Sequence, residues 1–196
     1  MRFLKENSYD IVRLYINQIG ITIFSLVLYF SITSLSDNPD NPGMYLKVKI
    51  GISILATVFF YALLYTAAWD WGANDKIRID AGKINKRIGK GALIAATANS
   101  LNFVLAGGCV ISELVYANGE GIVSQIFRPF LLLTNAMYIG VVQGICSNMT
   151  NTILAESVAY LIFPLLAITV VSVGYIFGMK YIKIFPSSNK KNKSYK

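Results

Sequence analysis

Long runs without a single charged residue constrain this sequence more than any other feature. Four of them cover residues 14–36, 50–69, 91–112 and 157–179, with 23, 20, 22 and 23 residues. A bilayer core about 30 Å thick needs roughly 20 apolar residues at about 1.5 Å rise per residue. Because backbone groups inside lipid must bond within their own segment, such runs fold as helices. The sequence therefore predicts four transmembrane helices at these positions.

A fifth charge-free run, residues 129–155, is more polar. Its first part, residues 129–146, is long enough for a helix but contains Asn135 and Gln143. Of the 18 basic residues, 15 precede the first run, separate the second from the third, or follow the fourth. With four spans, all three groups lie in the cytoplasm, as the positive-inside rule requires. We therefore predict an all-α polytopic membrane helix bundle of four transmembrane helices, plus one interfacial or partly inserted helix at 129–146 on the outer side.

The chain is predicted to be one membrane domain, residues 1–196, with both termini cytoplasmic. The first apolar run is longer than the core of a signal peptide and has no small-residue cleavage site after it, so it is expected to remain as a span. The tail, residues 180–196, is rich in lysine, serine and asparagine. A segment of that composition buries too little apolar surface to fold, and we expect it to be disordered.

Several classes of chemistry are excluded by residue counts. The sequence has no histidine, which removes imidazole bases and histidine-ligated metals. Its two cysteines, Cys109 and Cys146, cannot form a four-thiolate zinc site, and we expect both to be free. An enzyme would need Glu113, Glu120 or the aspartates of the central loop to converge on one pocket. We therefore predict no enzymatic activity, no catalytic residues, no metal and no cofactor.

Four amides are the polar residues that stand out in the predicted spans: Asn17, Gln18, Asn99 and Asn102. Asn99 and Asn102 are three residues apart and share a helix face. Both spans start in the cytoplasm, so the four side chains lie in the inner half and could meet. Interhelical hydrogen bonding, at about 0.6 kcal/mol per bond, is the favoured role over a substrate site.

Most of the remaining charge lies between the second and third runs. Residues 70–90 are predicted to form a charged loop in which Asp70, Asp75 and Asp80 are solvated rather than metal-binding. This loop and the tail could bind anionic headgroups of the cytoplasmic leaflet, or merely fix topology. The net charge of +8 could also suggest nucleic acid, but the hydrophobicity favours a membrane, and no nucleic-acid partner is predicted. The predicted lipid contacts are Lys76, Arg78, Lys83, Lys86, Arg87, Lys90, Lys190, Lys191 and Lys193.

Two pairs of glycines have the spacing that lets helix backbones approach closely: Gly140 with Gly144, and Gly174 with Gly178. Packing inside the chain is the favoured role. Contact with other membrane proteins, or with a second copy, is the alternative.

Two segments resemble a group of small uncharacterised multi-pass membrane proteins from bacteria. They are residues 65–76, which contain Trp69, Gly72 and the Asp75–Lys76 pair, and residues 174–180. In that group, too, a span ends in a tryptophan, a glycine and an acidic–basic pair before a polar loop. The resemblance implies a bacterial inner membrane and about four helices, and it implies no activity.

These observations favour a non-enzymatic integral membrane protein that acts as a scaffold or accessory subunit. The alternative is a small transporter or channel subunit with an amide-lined polar path. A water-filled cavity around the amides would favour transport, and a dry, close-packed bundle would favour the scaffold.

Overall fold

The computed structural model describes residues 2–35, 42–116, 121–147 and 149–182. Within these ranges the chain is all-helical and has no strand. The helices in chain order are α1 (Arg2–Glu6), α2 (Ser8–Leu35), α3 (Pro42–Asp80), α4 (Lys90–Ala98), α5 (Ser100–Val115), α6 (Ile122–Thr134), α7 (Ile139–Cys146) and α8 (Thr152–Met179), with a 3-10 turn at Ala136–Tyr138 before α7.

Three unbroken segments are long and apolar enough to cross a membrane: Ser8–Ser31 in α2, Lys47–Asp80 in α3, and Thr152–Met179, which is α8. The number rises to five if each of two bent helix pairs, α4–α5 and α6–α7, counts as one span. Helices of this length and composition indicate a membrane protein.

The third predicted span, residues 91–112, is wrong as a single helix. It is divided into α4 and α5, which meet at Asn99 with a bend of 57°. Nδ2 of Asn99 donates to the carbonyl oxygen of Ala95, four residues earlier, at 3.0 Å. Short polar side chains that bond back to their own turn compete with helical continuation, and this bond lies at the break.

The predicted outer helix, residues 129–146, is also wrong as a single helix. Helix α6 begins at Ile122 and ends at Thr134, and α7 leaves at 81° to it. At the break, Nδ2 of Asn135 donates to the carbonyl oxygen of Leu131 at 3.1 Å. Both bends are therefore built in the same way, with an asparagine bonded to the carbonyl four residues before it.

The α6–α7 pair starts and finishes at the same end of the bundle. Near its start, the backbone nitrogen of Ser124 donates to Oγ of Ser112, close to the end of α5, at 3.2 Å. Near its finish, the Gln143 side chain accepts from Nζ of Lys49, close to the start of α3. The α4–α5 pair behaves differently, because it begins against Tyr175 near the end of α8 and runs to the opposite end.

The charged loop predicted at residues 70–90 is wrong in its first half, because α3 continues to Asp80. Helix α3 ends in a Schellman arrangement: the Lys83 nitrogen donates to the Arg78 carbonyl and the Gly82 nitrogen to the Ile79 carbonyl, both at 2.9 Å. Gly82 has a φ of 69°, which glycine adopts without a Cβ clash. The loop is therefore only residues 81–89, and its start is fixed relative to the last turn of α3.

Glycines allow α3 to pack tightly against its neighbours. A Cβ on Gly72 would overlap the carbonyl oxygen of Tyr175, and one on Gly178 would overlap that of Trp69. Gly174 lies in the same way against Tyr65 and Ala68. On another face of α3, Gly140 meets Lys49 and Ser53, and Gly144 meets Ile50. The four glycines singled out from the sequence thus pack within the chain, and these faces are already occupied.

Candidate functional site

A chain of buried asparagine side chains links the two helix breaks. Nδ2 of Asn135 donates to Oδ1 of Asn102 at 3.3 Å, and Nδ2 of Asn102 donates to Oδ1 of Asn99 at 3.2 Å. Nδ2 of Asn99 in turn donates to the carbonyl oxygen of Ala95. The three side chains are 7% exposed or less. The result is a directed row of hydrogen bonds inside the bundle.

Helix α2 joins this cluster through the carbonyl oxygen of Thr134, which the break after α6 leaves free of a helical partner. That oxygen accepts from Nε2 of Gln18 at 3.4 Å and from Oγ1 of Thr22 at 3.0 Å. The structure thus brings Gln18 to the same region as Asn99 and Asn102. Asn17, the fourth predicted amide, is half-buried and makes no side-chain hydrogen bond among the described residues.

Helix α3 holds the other side of the same break. The backbone nitrogen of Gly140 donates to Oγ of Ser53 at 2.9 Å, and Oγ1 of Thr57 donates to the carbonyl oxygen of Met137 at 3.5 Å. Backbone that is not helical at membrane depth must find such partners in the surrounding protein. The α6–α7 break is therefore held from both sides, by α2 and by α3.

Asn135 and its neighbours are the residues that sequence reasoning missed. The sequence predicts Asn135 in an outer-side helix, and no sequence pattern marks Thr22 or Thr134 as part of a polar cluster. One polar atom in the cluster remains unused: Oδ1 of Asn135 has no donor, although the residue is only 1% exposed. A polar atom buried in this way costs free energy unless a donor reaches it.

A second polar region is a cavity of about 410 Å³ at the end of the bundle where α3 and α8 finish. This volume lies within the range of small-molecule pockets, about 300–1,000 Å³. Its walls come from α1, the end of α3, the 81–89 loop, the start of α4 and the end of α8.

Asp75 forms the floor of this cavity. Its Oδ2 accepts from Nζ of Lys90 at 2.7 Å and from the Tyr175 hydroxyl at 2.8 Å. The side chains of Asp75 and Lys90 are 6% and 18% exposed. Asp10 on α2 adds a further carboxylate within electrostatic range of both. Asp75, predicted to be solvated in a loop, is instead a buried ion-pair residue that ties α3, α4 and α8 together.

The predicted lipid-contacting residues separate into distinct groups. Arg78, Arg87 and Lys90 line the cavity. Lys76 is engaged with Asp80, one helical turn away, at 2.5 Å. Lys83 and Lys86 are exposed on the 81–89 loop and are not part of the cavity lining. Lys190, Lys191 and Lys193 lie outside the described residues.

Charged residues also lie at the opposite end of the bundle. NH2 of Arg128 on α6 pairs with Oε2 of Glu156 on α8 at 2.7 Å. Oγ of Ser124 donates to Oε1 of Glu113 at 2.8 Å. The sequence had placed Glu156 before the fourth span, but α8 begins earlier, at Thr152, and includes it. Each of these carboxylates therefore has a partner that links two helices.

Neither region has the composition of a metal or thiol site. Among the described residues, no group of three or more Cys, Asp and Glu side chains could hold a metal ion. Cys109 and Cys146 are both buried and free. Comparison of the chain with protein-family models, with curated proteins and with solved structures finds no match.

Proposed function

We propose that this chain is a multi-pass integral protein of the bacterial inner membrane with cytoplasmic N- and C-termini. In this arrangement α2, α3, the α4–α5 pair and α8 cross the bilayer, and the α6–α7 pair enters and leaves from the outer side. The common end at which α6–α7 starts and finishes supports this count. The distribution of basic residues supports the orientation.

Two exposed positions test the topology. In a variant whose native cysteines are replaced by alanine, Lys83→Cys and Met149→Cys each introduce one thiol in a connecting segment. A membrane-impermeant maleimide should label Lys83→Cys only from the cytoplasmic side and Met149→Cys only from the outer side. Labelling of both from the same side would mean an odd number of crossings, either three or five, and the proposal of four crossings would fail.

The role we propose is that of a non-enzymatic scaffold or accessory subunit. The observation that carries it is the way in which polar groups at the α6–α7 break bond to side chains of α2 and α3. Interhelical hydrogen bonds of this kind hold helices together, each contributing about 0.6 kcal/mol. Together with the glycine contacts along α3, they favour a rigid bundle whose polar groups serve its own assembly.

An assembly experiment tests this role. An affinity-tagged copy, gently solubilised from the cells that encode the chain, should elute with a second membrane polypeptide at fixed stoichiometry. The same tagged chain from a host that lacks this polypeptide is the control and should elute without it. Elution from its own cells as a species that contains this chain alone would contradict the scaffold role.

A small transporter or channel subunit is the second candidate, and one observation favours it. Two broken helices meet at Asn102 and Asn135, and Oδ1 of Asn135 has no donor. Discontinuous helices of this kind form the substrate and ion sites of many transporters. In the cysteine-free background, Asn102→Cys and Asn135→Cys should react with a water-soluble thiol reagent if a solvated path reaches them. The scaffold role predicts that both stay unreactive under conditions that label Lys83→Cys fully.

A further inference from the structure

The cavity at the end of α3 carries its charge in two layers. On the floor, the carboxylate of Asp75 is matched by Lys90 and by the Tyr175 hydroxyl. Because these groups satisfy one another, the floor offers no unmatched charge to a ligand. What a ligand meets is decided by the exposed rim of the cavity.

Two arginines without an ion-pair partner lie on that rim. Arg78 belongs to the last turn of α3 and Arg87 to the 81–89 loop, and both are exposed. Neither has a carboxylate oxygen within 4.0 Å among the described residues. Glu6 on α1 is the acid on the exposed part of the lining, and Asn85 adds a side-chain amide. Asp10 on α2 lies within electrostatic range of Arg78 but forms no ion pair with it.

Both arginines line the same cavity, and the local fold fixes the ends of the segment that separates them. The Schellman arrangement at Gly82 fixes the direction in which the loop leaves the helix turn that carries Arg78. At its other end, the loop is fixed where Lys90 binds Asp75. A guanidinium group presents a rigid fork of donors that matches phosphate oxygens, and two of them suit a doubly charged group.

The height of the cavity indicates where such a phosphate would come from. The contacts of Asp75 indicate the depth of the cavity floor. Its partner Lys90 directly precedes the charge-free run 91–112, and its partner Tyr175 lies near the end of the run 157–179, so the floor lies near the edge of the apolar part of the bundle. Arg78 is three residues beyond Asp75 on α3, or about 4.5 Å further out at about 1.5 Å per residue. The headgroup region adds roughly 5–8 Å on each side of the hydrocarbon core, so the rim of the cavity lies at about the level of lipid phosphates.

We propose that this cavity binds a terminal phosphate group through Arg78 and Arg87, and that its source is an anionic membrane lipid of the phosphatidic acid type. The proposal rests on the placement of this end at the membrane surface but not on the scaffold role. It assigns different roles to the basic residues of this region, because Lys83 and Lys86 lie on the same loop but outside the cavity lining.

The test uses the full chain in a neutral detergent, titrated by calorimetry with short-chain phosphatidic acid. Short-chain phosphatidylcholine is the neutral control, and glycerol 3-phosphate supplies the soluble phosphate. We expect saturable binding of one phosphatidic acid per chain and at least tenfold weaker binding of the other two compounds. Binding of glycerol 3-phosphate as tight as that of the lipid would overturn the lipid source and leave a site for soluble phosphate esters.

Two double variants with the same change in net charge identify the site. Arg78→Gln with Arg87→Gln should weaken binding at least tenfold, whereas Lys83→Gln with Lys86→Gln should weaken it less than threefold. Equal losses in the two variants would show diffuse attraction and overturn the proposal, as would no loss in either. If the arginine variant is not helical by circular dichroism, Arg78→Lys with Arg87→Lys replaces it. That variant keeps the positive charges but lacks the guanidinium fork of donors. It should still bind phosphatidic acid more weakly than the variant that carries Lys83→Gln with Lys86→Gln.

These results are independent of the partner experiment. A chain that elutes alone but binds phosphatidic acid through Arg78 and Arg87 would contradict the scaffold role and support the phosphate site. A chain that elutes with a partner but binds no phosphatidic acid would support the scaffold role and contradict the phosphate site.

Discussion

Nδ2 of Asn135 donates to Oδ1 of Asn102 across 3.3 Å, and this hydrogen bond joins the α6–α7 break to the α4–α5 pair. The two residues are 33 positions apart in the chain and are 1% and 2% exposed. This hydrogen bond connects the residues at which the two breaks meet, so a change at either residue should affect the packing of both helix pairs.

Replacing Asn102 with leucine should destabilise the bundle. The change removes the acceptor for Asn135 and the donor to Asn99, and bonds of this kind contribute about 0.6 kcal/mol each, with about 1.7 as the upper end. We expect a lower free energy of unfolding in a detergent titration followed by circular dichroism. Asn17→Leu is the matched control, because Asn17 makes no side-chain hydrogen bond among the described residues. Equal losses in the two variants would contradict a structural role for the amide row.

Replacing Gly178 with alanine should be more damaging than most glycine substitutions in this chain. The added Cβ would overlap the carbonyl oxygen of Trp69 and lie 3.0 Å from the Ala73 nitrogen, and both are backbone atoms of α3. Overpacking typically costs about 1–3 kcal/mol. A Cβ on Gly107, also helical, meets nothing within 4 Å. Gly107→Ala should therefore be neutral, or stabilising by up to about 1 kcal/mol. The difference in melting temperature between the two variants measures the effect.

Removing the carboxylate of Asp75 should leave the positive charge of Lys90 without its partner. In Asp75→Asn, the largely buried Lys90 loses its partner, and breaking a buried pair costs on the order of 3 kcal/mol. Asp80→Asn breaks the exposed pair with Lys76 and should cost less than about 1 kcal/mol. Adding Lys90→Gln to Asp75→Asn should restore part of the loss in the free energy of unfolding. Failure of this second change to restore stability would mean that Asp75 acts through Tyr175 alone.

The Arg128–Glu156 pair should be strongly coupled despite the exposure of the arginine. Glu156 is 10% exposed at its side chain and Arg128 is 34% exposed, so the pair lies between the surface and buried cases. We expect Arg128→Gln to cost about 1–2 kcal/mol. In the double variant with Glu156→Gln, the loss should be smaller than the sum of the two single losses. A double-mutant cycle measures this coupling, and additive losses would show that the two charges act separately.

The apolar helices were predictable because their signal is summed over about 20 residues. Runs 14–36, 50–69 and 157–179 lie within α2, α3 and α8 or overlap them almost completely. The breaks at Asn99 and Asn135 were not predictable in this way, because a hydrophobicity window averages over a single asparagine. At each break an asparagine side chain bonds to the carbonyl four residues before it, and the α6–α7 break also has hydrogen-bond partners on α2 and α3.

In the candidate sites, too, some features could be predicted from the sequence and others could not. Shared helix spacing was enough to pair Asn99 with Asn102. Charge distribution named Arg78, Arg87 and Lys90 only as three of nine possible headgroup contacts, and it did not separate the residues of the cavity from the others. The burial of Asp75 could not be predicted from the sequence, because it depends on α3 continuing past Trp69 and on a tyrosine 100 residues away on α8. A charged residue near a predicted span end looks solvated until the contacts of neighbouring helices are known.

The way the α6–α7 break is held also constrains the biogenesis of the protein. Thr134, Met137 and Gly140 have backbone groups whose partners are side chains of α2 and α3. A hairpin that entered the bilayer by itself would carry these groups into lipid without partners, at a cost of several kcal/mol each. If the α6–α7 pair lies in the bilayer as proposed, these groups find their partners only once α2 and α3 are in place. Synthesis from the N-terminus produces α2 and α3 first, so we expect the α6–α7 pair to insert after them.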